Sequence, residues 1–136
     1  MFLEDGYKQD PRDTKLLFEL TYAYNALGRF NDAAKVLETA LQDSPKDFFL
    51  NREYAYALFH GGNLEAAIKQ YLKSVDMCPP NNMSEKAEIA FNLAQCYNAS
   101  KDPKNARAWF AKARQWAPAD SPVGSFFKNN PNFGNQ

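Results

Sequence analysis

The chain has 136 residues, with 16 Lys and Arg against 16 Asp and Glu, so it is long enough to bury one core and has no net charge to draw it to nucleic acid or an anionic membrane surface. Nineteen alanines against eight β-branched residues favour helix over pleated sheet and predict an all-α fold. No apolar run approaches the roughly 20 residues that span a bilayer, and residues 1–10 lack the basic and apolar regions of a signal peptide.

Taken in chain order, residues 1–11 place Phe2, Leu3 and Tyr7 ahead of Pro11 and read as the end of a truncated helical unit. Residues 14–47 and 48–81 are two copies of one pattern at an offset of 34 residues, aligned without a gap. Gly28 falls on Gly62, Phe30 on Leu64, Ala33 on Ala67, Leu37 on Tyr71 and Pro45 on Pro79. Within each copy apolar residues recur every three or four positions on both sides of the glycine, the pattern of two amphipathic helices packed antiparallel. The alanines stand where paired helices cross most closely, and the prolines end the second helices because proline lacks an amide hydrogen.

A third copy spans residues 82–120 at an offset of 39, with five extra residues at Asn82 to Lys86. They form either a contact loop or a longer helix start capped by Ser84. Tyr97, Ala106, Phe110, Ala113 and Pro118 keep the pattern, but Lys101 replaces the turn glycine and Pro103 the apolar residue after it. Asp102 followed by Pro103 still signals an N-cap and a first-turn proline, so the second helix is expected, with a different turn before it. Ser121 and Pro122 repeat that signal and predict a capping helix over 121–128 that sets Phe126 and Phe127 against the last repeat. The Asn- and Gly-rich residues 129–136 predict a disordered tail.

This pattern resembles the tetratricopeptide repeat at its own period, from Met1 to Pro118. The resemblance implies an α-solenoid of about three helix pairs, with a partial unit before them and a capping helix after, whose first helices line a concave groove. Carrying the groove positions across gives Lys15, Phe18, Tyr22 and Asn25, then Phe49, Arg52, Tyr56, Phe59 and His60, then Glu88, Phe91, Asn92, Gln95 and Asn98. Such a set offers apolar area, hydroxyls, amides for a peptide backbone and, at Arg52, a partner for a carboxylate or a ring. Phe18 and Phe91 serve equally well as rings packed between helices. One subgroup of the family grips acidic chaperone tails with Lys, Asn and Arg. The matching positions here are Phe18, Tyr22, Glu53, Glu88 and Asn92, which disfavours that ligand.

The sole histidine, His60, precedes Gly61 and Gly62. No strand precedes these glycines and no Lys-Ser or Lys-Thr pair follows, so they read as an inter-helix turn and not a phosphate loop. His60 has no local partner for catalysis or metal binding, and Cys78 and Cys96 read as reduced, small apolar residues. The expectation is a non-catalytic scaffold without metal or cofactor that binds a peptide or helix of a partner protein. The alternative is a structural segment of a longer solenoid, or a self-associating protein in which the tail of one copy enters the groove of another. The cell compartment is left open.

Overall fold

The computed structural model describes residues 14–134. Among the described residues it forms seven helices and no strand: α1 Thr14–Ala26, α2 Phe30–Asp43, α3 Phe48–His60, α4 Leu64–Met77, α5 Met83–Ala99, α6 Pro103–Trp116 and α7 Pro122–Asn129. The expectation for residues 1–11, with Phe2, Leu3 and Tyr7, falls outside the described residues. Each helix packs on the next in sequence, and α7 closes against both α5 and α6. The result is the helical solenoid expected from the repeats.

The pairs form for the reasons the repeat suggests. Gly28 and Gly62 take φ of 74° and 88°, left-handed backbone that turns the chain between paired helices and that a side chain disfavours. Lys101, at the third equivalent position, adopts the same turn with φ 63°. Ala33, Ala67 and Ala106 are buried at the crossings, where a larger side chain would push the helices apart. Asp47, Asp102 and Ser121 cap α3, α6 and α7, accepting from the backbone N–H of Leu50, Asn105 and Gly124. Four of the five inserted residues, 83–86, become helix, so that α5 has 17 residues where the other first helices have 13. Its cap is Asn82, which accepts from the Glu85 N–H, and not Ser84.

Leu17, Leu20, Leu37, Leu58, Tyr71 and Leu93 belong to one core that joins α1 through α5. Each large side chain buried in this way contributes about 1.5–3 kcal/mol. Asn51 joins neighbouring pairs through its side-chain amide, which donates to Pro45 O at 3.1 Å and to Asp47 O at 2.8 Å.

A second core holds Phe110, Val123 and Phe127 around Ala87, Ala90 and Ala94. The tail departs from the expected disorder through residue 134. Residues 131–134 form a turn, and the Phe133 ring lies 5.0 Å from Phe110, 4.9 Å from Phe126 and 6.0 Å from Phe91. Arg114 donates to Pro131 O at 2.5 Å and Phe133 O at 2.6 Å, which ties the tail backbone down. These rings are engaged within their own chain.

Candidate functional site

The first helices of the three repeats, α1, α3 and α5, border a groove of about 490 Å³. Their register in the solenoid brings residues far apart in sequence onto one surface. Tyr22, Asn25 and Ala26 come from α1, Arg52, Glu53 and Tyr56 from α3, and Glu85, Glu88, Ile89 and Asn92 from α5. Tyr71 of α4 contributes to the floor. Tyr22 is 77% exposed and Tyr56 38%, so both rings are available to a ligand.

Of the residues singled out from the sequence, Tyr22, Asn25, Arg52, Tyr56, Glu88 and Asn92 meet in this groove. The others do not line it. Phe18 packs partly against the core and borders a separate shallow depression with Glu19, Tyr22 and Ala23. Phe49 is 50% exposed beside the groove, with the Arg52 guanidinium 5.3 Å from its ring centre. Phe59 packs against the core. Phe91 takes the second of its two expected roles, inside the aromatic cluster of Phe110, Phe126, Phe127 and Phe133. Asn98 faces a different depression, with Pro103, Arg107 and Phe133. Lys15 is exposed and Gln95 half-buried, both outside the groove.

His60 is exposed at the end of α3, with ring centres 4.2 Å from Tyr56, 4.9 Å from Phe59 and 5.3 Å from Phe30. Burial of its ring among them lowers its pKa from the usual 6.5. No group of three or more His, Cys, Asp or Glu that could hold a metal occurs among the described residues.

The charges of the groove are not those a carboxylate-binding site would carry. Arg52 donates to Glu85 and, at 3.0 Å, to Glu53, so its guanidinium is already occupied and is not free for a ligand carboxylate. Burial acts against the Arg52 charge, and the bonds to Glu85 and Glu53 more than offset it, which raises the pKa. The Glu88 carboxyl is also raised, first by burial and then by the neighbouring Glu85 charge, with Arg52 opposing only in part.

Two polar atoms in the groove lining have no hydrogen-bond partner among the described residues. They are Asn25 Oδ1 and the Tyr71 hydroxyl. Tyr71 is a fully buried residue. Burial drives its pKa far above the usual 10, with Cys96, Glu53, Tyr56 and Glu88 adding to the shift.

Sequence reasoning overlooked Tyr71, Glu85 and Ile89. Tyr71 sits at the position of Leu37 and Phe110 and reads as plain core; its hydroxyl, absent from those two, was the available signal. Glu85 lies in the inserted segment, for which the repeat supplies no register.

Comparison with known proteins agrees with this architecture. The sequence model described as "Tetratricopeptide repeat" matches residues 18–82 and 81–121. No curated protein matches the chain in sequence. Among solved structures, the chain resembles PcrH in complex with the chaperone binding region of PopD, at 19% identity over 97% of this chain and 92% of that one, with a TM-score of 0.74. It also resembles the Yersinia enterocolitica type III secretion chaperone SycD in complex with a peptide of the translocator YopD, at 18% identity over 89% and 86%, with a TM-score of 0.70. A third similar structure is MamA from Desulfovibrio magneticus RS-1, at 20% identity over 84% of this chain, which spans 62% of that one, with a TM-score of 0.73. At these identities the structures report on fold alone. No described helix is long and apolar enough to cross a membrane. With the repeat pattern, the helix pairs and the sequence match over most of its length in agreement, the chain belongs to the tetratricopeptide repeat family.

Proposed function

We propose that the protein is a non-catalytic scaffold that binds a peptide or helix of a partner protein in the groove between α1, α3 and α5. The observation that carries this reading is the pairing of exposed Tyr22 and Tyr56 with a groove of about 490 Å³. Exposed aromatic rings at the rim of a concavity are what a helix or extended segment docks on. Asn25 and Asn92 add amides that can exchange hydrogen bonds with a peptide backbone. The complexes of PcrH with a PopD region and of SycD with a YopD peptide support the reading by analogy of fold.

The test is to compare capture of partners by the wild-type chain and by a Tyr22→Ala, Tyr56→Ala variant. Both rings are exposed, so the variant is expected to melt within a few degrees of wild type. Phe59 is left intact because it packs against the core. A partner lost with the variant places binding in the groove; an unchanged set of partners moves function to another surface.

A further inference from the structure

We infer that the groove floor takes a cationic side chain of the bound segment, an arginine, held by Glu53, Glu88, Asn25 Oδ1 and the Tyr71 hydroxyl. This rests on the groove reading and adds the chemistry of the partner. Three carboxylates, Glu53, Glu85 and Glu88, line the groove against one guanidinium. That guanidinium, Arg52, is shared between Glu53 and Glu85, which leaves an excess of negative charge centred on Glu88.

The polar atoms without partners sharpen the argument. Asn25 Oδ1 can only accept a hydrogen bond, and the Tyr71 hydroxyl stands fully buried with neither a donor nor an acceptor among the described residues. An unpaired buried polar group is costly, and an incoming group that pairs with both atoms removes that cost. That group must donate several hydrogen bonds at once and carry positive charge. A guanidinium offers five N–H donors in a planar fork, meets a carboxylate with two parallel bonds and stacks on aromatic faces, here Tyr22 and Tyr56. An ammonium offers three donors and a stronger hydration shell to strip. A metal ion fits less well, because these carboxylates do not gather with a third ligand at metal-binding distance.

The experiment is selection of a phage-displayed random peptide library on the full chain. Selected peptides are then synthesised with arginine or with citrulline, its neutral isostere, and their affinities measured by fluorescence anisotropy. Selected peptides should be enriched in arginine over the starting library, and citrulline should weaken binding by about tenfold or more, the usual effect of losing a charge-assisted bond. Glu88→Gln should weaken the arginine peptide by a similar factor and leave the citrulline peptide unchanged. Tyr71→Phe should weaken it less while raising the melting temperature, since it removes only an unpaired buried hydroxyl. Peptides that lose binding to the Tyr22→Ala, Tyr56→Ala variant but bind equally well with citrulline would overturn the inference and leave the groove reading standing. Peptides indifferent to both changes, or a library without binders, would overturn the groove reading and the inference together.

Discussion

Lys101 shows how far a single residue can depart from the repeat without changing the chain path. Its φ of 63° matches the 74° and 88° of Gly28 and Gly62, yet a lysine pays a steric penalty there that glycine avoids. The turn holds because Asp102 N–H donates to Tyr97 O at 2.9 Å and Asp102 then caps α6. Lys101→Gly is therefore expected to stabilise the protein by about 0.5–1 kcal/mol, the relief of strain being partly offset by the greater freedom of glycine in the unfolded chain. A urea midpoint that rises with an unchanged slope would bear this out, and a fall would show that the lysine side chain contributes more than its backbone costs. The two glycines were legible as turn residues from their type alone. The left-handed lysine was legible only as a position, because residue type argues against it.

At the level of elements, the tail is where the sequence misled, and the start of α5 is where it left two readings open, of which the longer helix is the one formed. Asn and Gly composition in residues 129–136 predicts disorder because it offers little apolar area. One ring alters that balance, since Phe133 closes a cluster already supplied by Phe91, Phe110, Phe126 and Phe127. Phe133→Ala should cost roughly 1–3 kcal/mol, less than for a full core phenylalanine because the ring is 36% exposed. Helix content should survive while apolar-dye binding rises, as Phe91 and Phe126 lose their cover. An unchanged melting temperature without dye binding would show that the turn adds nothing to the cap. The inserted residues act differently. They lengthen α5 at its N-terminus, and the added turn carries Glu85 to Arg52, so the insertion rewrites the charge of the groove.

For the whole molecule, Glu88 connects stability with binding. Its folded-state pKa lies above the ordinary 4.5, so the native protein holds this proton more tightly than the unfolded chain does. The ionised carboxylate thus opposes folding above the folded-state pKa, and that cost fades as pH falls below the unfolded value. Because Glu88 is exposed, solvent screens much of this cost, and Glu88→Gln should raise the melting temperature at pH 7 only slightly, with the difference from wild type vanishing near pH 4. A variant that melts lower at pH 7 would mean that Glu88 has a stabilising partner in the folded state. The repeat, the helix pairs, the glycine turns and the Asp102 and Ser121 caps were legible in the sequence alone, because each depends on residues within one or two helical turns of one another. Tertiary packing is what sets Phe59 and Phe91 among their neighbours, pairs Arg52 and leaves the Tyr71 hydroxyl without a partner among the described residues. Those outcomes depend on which residues of α1, α3, α4 and α5 come to face one another, and helical periodicity gives the face of a residue without naming its neighbour across the groove.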